Sequence, residues 1–474
     1  MPFKLKQLFK VNDPRITAQI LTLGLPVIAS NLSRTIMSLA DVAMVGRLGA
    51  GALAATGMGS MLVWVVLSIA IGLRTATQTV ASRRLGQKIY KECGTALQTG
   101  LLLVLFIMVP ITYFGLKTVP VFVPFFIDDP EITPLCLEYT SIAYFSIIFS
   151  SLGFVFQGFF TGIEKTRVHM KVTVAANLIN VYLNAGLIYG SQGLKEFLDS
   201  SHLGWMSWLW SWANFPALGV KGAALATVLA SLWLMLHYFY YLFNGEMRKK
   251  FAVFSLHFNR KIISRQISLA LPQGLQEVIV TAGYAVFFKI VGLLGVTALA
   301  ATEVVFTIMH ASFMSGMGIG QACATLVGKA LGEEDPRQAE ISIIESVRLS
   351  FWIMGTTGLI FLFIPNLILS LFTNDPQVLS KGLTALRITG LVQFVDAVGL
   401  TLWFALSGAG NTRFPAVLET ITMWAVCLPL SYLTGVYWGW GMIGPWAAFG
   451  VNILLFAGFM AWKVGKGDWK EIKV

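Results

Sequence analysis

Long apolar runs, broken by short polar and basic stretches, pattern the whole of this 474-residue chain. Twelve runs reach the roughly 20 residues that a bilayer crossing needs. They lie near 17–44, 52–80, 94–116, 134–161, 169–190, 217–243, 265–292, 297–326, 341–364, 380–407, 415–436 and 441–462. Several exceed that length, which predicts helices that tilt or kink. The pattern predicts an all-α polytopic membrane protein with twelve transmembrane helices.

The polar breaks fix the expected sides. One set carries Lys4, Lys6 and Lys10, then Arg83, Arg84 and Lys88, then Lys165, Arg167 and Lys171. It continues with Arg248, Lys249, Lys250, Arg260 and Lys261, then Lys329 and Arg337, Arg413, and the tail Lys463, Lys466, Lys470 and Lys473. The opposite set holds only Arg47, Lys117, Lys195, Lys221 and Lys381. Positive residues favour the cytoplasmic side, so both termini are expected in the cytoplasm. The opening "MPFKLKQLFKVNDPR" lacks the apolar core and small-residue cleavage site of a signal peptide, and reads as a cytoplasmic amphipathic cap.

The same pattern repeats. Shifted by 246 residues, Leu25-Pro26 meets Leu271-Pro272, "VGRLG" at 45–49 meets "VGLLG" at 291–295, and "ALAAT" at 52–56 meets "ALAAT" at 298–302. Leu85-Gly86 meets Leu331-Gly332, "FFIDDP" at 125–130 meets "LFTNDP" at 371–376, and "GIEKTR" at 162–167 meets "GAGNTR" at 408–413. Further on, "GVKGAA" at 219–224 meets "GMIGPW" at 441–446, so the first half carries about 24 extra residues near 191–214. That insertion includes the Trp-rich "GWMSWLWSWANF" at 204–215. It reads as an interfacial helix or loop anchored at headgroup level, with a substrate-gating lid as the competing reading. Six spans per half make the repeat parallel, about an axis along the membrane normal. Two six-helix lobes are expected, 1–245 and 246–474, able to rock around a central cavity.

Composition agrees. The chain is 56% hydrophobic and 12% charged, against about 25% charged in soluble proteins, and its mean hydropathy is +0.73. The net charge of +11 is explained by topology-setting loops and contact with anionic lipid, so nucleic acid is not an expected partner. Cys93, Cys136, Cys323 and Cys427 form no CxxC pair or metal spacing, and read as apolar packing residues. No P-loop, nucleophile elbow or HExxH occurs, which argues against an enzyme and against ATP-driven transport within this chain.

Against this background the polar residues inside spans stand out. A carboxylate at the centre of a membrane helix costs about 2.5–3.5 kcal/mol on insertion scales. Asp41 lies in the outer half of the first span, at a depth similar to Asn180 and Asn184 in the fifth and Thr227 in the sixth. Asn180 and Asn184 share a helix face. Carboxylate, carboxamide and hydroxyl oxygens are hard ligands, suited to a small cation or a proton relay; interhelical hydrogen bonding is the competing reading for the asparagines and Thr227. Arg34, two turns before Asp41, is a candidate long-range charge partner. Arg34 and Arg74 read better as salt bridges to other spans or as donors to backbone carbonyls. In the second half, Asp396 lies near mid-span, Glu303 and Arg387 have similar depths and are expected to pair, and His310 could titrate near neutral pH or pack through hydrogen bonds.

Several stretches resemble the MATE (multidrug and toxic compound extrusion) transporters. "ADVAMVGRLG" with "ALAATGMG" resembles the family's opening signature. So does "VGKALG" at 327–332, at the end of the eighth span; "GAGNTRFP" at 408–415 resembles the family's loop after the tenth span, and "NLINVYLNAGLIYG" at 177–190 with "GVKGAALAT" at 219–227 resemble its fifth and sixth spans. The resemblance covers nearly the whole chain. It implies two six-helix lobes around a cavity, and export of organic cations and drugs driven by inward sodium or proton flow. It implies a first-lobe cation site at Asp41 and the asparagines, and a second-lobe site at Asp396. Several departures weaken the transfer. Some members carry an aspartate where this chain has Asn184, and some a glutamate where it has Val280, with Glu277 one turn earlier as the nearest acid. Glu303 falls where the family often has Gln, after Thr302 in place of a usual His.

The expected function is therefore a secondary active antiporter in the plasma membrane (a bacterial or archaeal inner membrane), exporting cationic amphipathic small molecules by alternating access. It needs no cofactor beyond its coupling ion, H+ or Na+, with sodium at Asp41, Asn180 or Asp396. The expected partners are those substrates and the lipid bilayer, and the expected state is a monomer. A flippase of lipid-linked cell-wall or polysaccharide precursors is the alternative. The mixed balance of Arg34, Arg74, Lys289 and Arg387 against Asp41, Glu277, Glu303 and Asp396 suits organic cations better than pyrophosphate lipids.

Overall fold

Three Asp-Pro pairs start helices in the same way. Asp13 accepts from the backbone N–H of Arg15 and Ile16, Asp335 from Gln338, and Asp375 from Gln377 and Val378, each with proline at the first helical position. The carboxylate satisfies orphan N–H groups, and proline needs no partner there.

The computed structural model describes residues 8–126, 129–200, 202, 204–255 and 259–474. Lys4, Lys6 and two positions of "FFIDDP" lie outside the described residues. Helices α1 (Pro14–Gly46), α2 (Ala50–Gly86), α3 (Tyr90–Phe126), α4 (Ile132–Ala143), α5 (Phe145–Gly162), α6 (Thr166–Ser200) and α7 (Val220–Leu242) build the first lobe. The short α8 (Gly245–Phe251) follows. The second lobe comprises α9 (Arg260–Gly292), α10 (Val296–Gly332), α11 (Pro336–Phe363), α12 (Pro365–Ser370), α13 (Pro376–Ala409), α14 (Arg413–Ile421), α15 (Leu428–Tyr432) and α16 (Ile443–Lys466).

Twelve helical segments are long and apolar enough to cross a membrane, among the described residues. The 37 residues of α2 and of α10 span about 55 Å at 1.5 Å per residue, so they tilt or project beyond the bilayer. The fourth predicted span is not one continuous helix; it breaks at Tyr144, between α4 and α5. The eleventh contains two π-helical stretches, 422–427 and 433–437, flanking Pro429, whose missing N–H disturbs the helical ladder.

The Trp-rich insertion folds back on the first lobe. α6 kinks at Gly190 (φ 71°), a backbone state that glycine adopts without strain. Trp210 stacks on Tyr182 and donates to its carbonyl at 3.0 Å, while Trp205, Trp208 and Trp212 are exposed. All four cysteines are buried and free. The connector α8 packs on the first lobe, with Phe251 against Tyr90 and Phe159; we propose that the two lobes divide at this connector.

The repeat reappears as contacts. Gly86 faces the Lys329 carbonyl, and 246 residues on, Gly332 faces the Arg83 carbonyl. Gly72 faces Ala270, and its counterpart Gly318 faces Gly24. Thr79 Oγ1 donates to the Ser407 carbonyl at 3.0 Å, and its counterpart Thr325 donates to the Thr161 carbonyl at 3.1 Å. Each contact maps onto its partner when the lobes are exchanged, the signature of a two-fold axis between α2 and α10. No side chain fits at the glycine crossings, so backbones meet directly.

Polar bonds lock the same end. Gln78 donates to the Gln321 carbonyl (2.9 Å) and Thr325 Oγ1 (3.0 Å), and Lys329 pairs with Glu164 at 2.9 Å. Arg83 donates to the carbonyls of Ala409 (3.2 Å) and Ile472 (2.8 Å), and Glu345 accepts from Asn12 and from Thr17 (2.7 Å). All lie toward the end that carries the basic loops. The bond farthest from that end joins Asn31 to the Met314 carbonyl (3.4 Å). Beyond it no hydrogen bond or ion pair joins the lobes among the described residues, and the part of α1 past Asn31 exposes Ile36, Leu39 and Val42. The seam is held at one end only.

Gly86→Val and Gly332→Val are expected to cost about 1–3 kcal/mol each through overpacking, and to a similar extent because the sites are equivalent. A thermal unfolding midpoint of the detergent-purified protein that moves in neither variant, or in only one, contradicts the paired approach.

Candidate functional site

Asp41 sits one and a half turns before the end of α1, half-buried. Asn184 Nδ2 donates to its Oδ1 at 2.5 Å and also contacts Asn180 Oδ1 at 3.1 Å. Both asparagines are buried, and Asn184 Oδ1 is buried without a donor. This leaves an orphan acceptor beside a carboxylate and a second amide oxygen. A desolvated acceptor without a donor is costly, and a proton or small cation would satisfy it. The predicted grouping of Asp41, Asn180 and Asn184 is thus present as a bonded trio. Thr227 is less committed; its hydroxyl donates to the Ala223 carbonyl of its own helix at 3.0 Å.

The equivalent place in the second lobe is filled. Asp41 corresponds under the 246 shift to Phe287, which is fully buried among Phe306, Trp446 and Phe449. The second lobe puts its charge elsewhere. Glu277 on α9 and Asp396 on α13 both lie within Coulombic range of Glu419 on α14, and all three lie within that range of Tyr284. Gln276 Nε2 donates to Glu419 Oε2 at 2.6 Å, whereas no hydrogen bond reaches the carboxylates of Glu277 or Asp396 among the described residues. Like charges with few donors in an apolar wall favour an incoming cation or proton. No group of three or more His, Cys, Asp or Glu converges tightly enough to hold a metal ion, among the described residues.

Glu419 is the residue that the sequence reading passed over. The signal was available, because Glu419 lies inside the run 415–436 and carries the insertion cost that singled out Asp41. The repeat adds to it. Asp396 and Glu419 stand 246 residues after Ser150 and Thr173, which line a cavity in the first lobe. The two lobes thus use one location with different chemistry.

Several expected pairings are absent. Glu303 and Arg387 are both exposed and make no ion pair. Their helices present them to the surface, so similar depth did not bring them together. His310 is exposed, with its ring 6.5 Å from that of Phe313, and neither it nor Glu303 bonds to Asp396 or Glu277. Arg34 does not pair with Asp41, whose side-chain partner is Asn184. Neither Arg34 nor Arg74 finds the expected salt bridge or backbone carbonyl among the described residues. Both lie over the Phe154 ring, at 5.8 and 5.9 Å from its centroid. Arg74 also lies within Coulombic range of Glu277 across the seam.

Comparison with known proteins agrees with this architecture. The MatE family profile matches residues 26–185 and 272–433, two segments that begin 246 residues apart. The chain belongs to the MatE family, whose members are membrane transporters and not enzymes. The multidrug resistance protein NorM of Burkholderia vietnamiensis is 26% identical over 447 residues, covering 93% of this chain and 92% of that protein. The probable multidrug resistance protein NorM of Thermotoga maritima is 26% identical over 471 residues, covering 98% and 95%. Among solved structures, a MOP superfamily transporter from Pyrococcus furiosus superposes with TM-score 0.84 at 18% identity, covering 98% of each chain. The eukaryotic MATE transporter AtDTX14 gives 0.81 at 17% identity, covering 96% of this chain and 97% of that one.

The Asp41–Asn184 bond is charge-assisted, a class worth about 1.5–3 kcal/mol. A double-mutant cycle of Asp41→Ala and Asn184→Ala, read from thermal unfolding of the purified protein, is expected to show coupling of that size. Additive effects of the two substitutions contradict the bond.

Proposed function

We propose that the protein is a secondary active antiporter that exports cationic amphipathic molecules, drugs among them, in exchange for inward H+ or Na+. One observation carries the reading. Two pseudo-symmetric lobes are held together at one end only, and each places half-buried acid at a different location, Asp41 in one and Glu277, Asp396 and Glu419 in the other. The basic loops lie at the closed end, and positive residues favour the cytoplasm. We therefore read the conformation as outward-facing, with both termini cytoplasmic in a plasma membrane. The NorM names of its relatives support multidrug export.

In this scheme Asp41, with the amide oxygens of Asn180 and Asn184, takes up an inward-moving ion from the outer side. Glu277, Asp396 and Glu419 form a second acidic region that attracts an organic cation or a further coupling ion. Neutralising a buried carboxylate removes a desolvated charge. That lowers the cost of closing the outer ends and drives release of the organic cation. Each charge moving inward gains about 2.3 kcal/mol per 100 mV of membrane potential, enough to bias the cycle.

Proteoliposomes loaded with a fluorescent organic cation test the proposal. Export under a proton gradient alone, or a sodium gradient alone, is expected, and Asp41→Asn should lower it roughly tenfold or more, the effect of about 1.4 kcal/mol. Export without either gradient, or full export by Asp41→Asn, overturns the scheme. In the same assay, Glu419→Gln is expected to weaken export of the cation, while Glu303→Gln leaves it within about twofold, a difference below about 0.5 kcal/mol.

A further inference from the structure

At the closed end of the seam, two places that the repeat makes equivalent differ by one charge. At one, Lys329 pairs with Glu164 at 2.9 Å. At the other, 246 residues away, Arg83 takes the place of Lys329 and Gly410 the place of Glu164. The cation is kept and the carboxylate is gone. Arg265 and Arg84 lie within Coulombic range of Arg83, and Arg413 within that of Arg265. Arg84 has its own partner, Glu92, at 2.8 Å. No carboxylate side chain pairs with Arg83, Arg265 or Arg413 among the described residues. Arg83 donates to the carbonyls of Ala409 and Ile472, but its Nε, like the Nε and Nη2 of Arg265, is buried without a partner. Like charges gathered in this way repel one another, and an anion among them relieves that cost.

Arg265 opens onto a groove of about 640 Å³ along the first turns of α9. Arg260, Lys261, Ser264 and Ser268 complete its lining. The side chains of Arg260 and Lys261 form no ion pair, and the two hydroxyls no hydrogen bond, among the described residues. At helical spacing Ser264 and Ser268 share a face with Leu271 and Leu275, and both leucines are exposed. Cations and hydroxyls at the helix end thus give way to an apolar stripe along the span. That sequence of groups matches a charged head followed by a hydrocarbon chain.

We propose that this groove binds one anionic phospholipid. Its phosphate lies among Arg260, Lys261 and Arg265, with Ser264 and Ser268 as hydroxyl donors, and an acyl chain runs along Leu271 and Leu275. Arginine pairs with phosphate through strong charge-assisted bonds. The head group supplies here the negative charge that Glu164 supplies at the equivalent place. A zwitterionic head brings an ammonium with its phosphate and cancels that gain. Arg265 belongs to the second lobe and Arg83 to the first, so the bound lipid lowers their repulsion and steadies the closed end. The site stands apart from cation export, since its binding is read without transport.

The test uses the full chain purified in detergent and titrated with phosphatidylglycerol, phosphatidylcholine or inorganic phosphate. Native mass spectrometry counts the bound lipid, and thermal unfolding reads the closed end. Phosphatidylglycerol is expected to bind saturably and raise the unfolding midpoint, and phosphatidylcholine to bind roughly tenfold or more weakly. Arg265→Gln with Arg413→Gln should erase that preference. So should Ser264→Glu, an exposed position where the chain itself would then supply the carboxylate. Arg167→Gln with Lys171→Gln removes the same charge from exposed positions on the same side, and should keep the preference. Equal binding of the two lipids by the unmodified chain overturns the proposal, whether or not the variants fold. So does an undiminished preference in Ser264→Glu, or an equal loss in the Arg167, Lys171 control, which would show attraction to diffuse charge alone. Inorganic phosphate that displaces the lipid at equal concentration also overturns it, by showing that the acyl chain adds nothing.

Discussion

Buried charge without enough partners is the constraint on which this molecule depends. A carboxylate or guanidinium inside a bilayer needs a counter-charge, hydrogen bonds or a ligand. Here the folded chain supplies only some of them. Asp41 receives one hydrogen bond from Asn184. Glu419 receives one from Gln276. Asp396 and Glu277 accept none, and Arg34 donates none, among the described residues. Contrast Glu345, which is fully buried where the others are half-buried, yet accepts from Asn12 and Thr17 and pairs with Arg348 at 2.7 Å. Glu345 is satisfied and closes the seam. The others are unsatisfied, which is what a transporter needs of groups that must bind and release.

The duplication explains how both kinds arise in one fold. Positions that hold the lobes together kept their chemistry: glycine faces glycine, and Thr79 and Thr325 make the same bond from opposite sides. Positions that face the lobe interiors diverged. Where one lobe has Asp41 the other has Phe287, and where one has Ser150 and Thr173 the other has Asp396 and Glu419. A shared scaffold thus carries a basic, aromatic interior in one lobe and an acidic one in the other. Arg74 and Glu277 face each other electrostatically across the boundary, so charge changes on one side are felt on the other.

Much of this was legible in the residues, and the rest was hidden for a physical reason. Span number, the parallel repeat and the Asp41–Asn184–Asn180 grouping follow from apolar runs, a fixed shift and shared depth. Which face of a span meets which neighbour does not follow. In a membrane the lipid side and the packed side are both apolar, so no amphipathic stripe marks the buried face. That is why Glu303 and Arg387, matched in depth, turn out to be exposed and unpaired. It is also why the spans alone suggest salt bridges or backbone carbonyls for Arg34 and Arg74, which share Phe154 instead. Glu419 was a different kind of miss, an acid within a predicted span that the insertion-cost argument already covered.

The central claim is that ion occupancy of the buried carboxylates governs whether the outer ends of the lobes are apart. Spin labels at Leu48 and Leu293, in exposed turns at the ends of the two lobes away from the basic loops, report that separation by pulsed electron resonance. The account predicts a distance distribution that moves to shorter values when the coupling ion is supplied, by lowered pH or added sodium. It also predicts a distribution insensitive to both in the Asp41→Asn, Asp396→Asn double variant. The same ion-dependent shift in that variant as in the unmodified chain would contradict it.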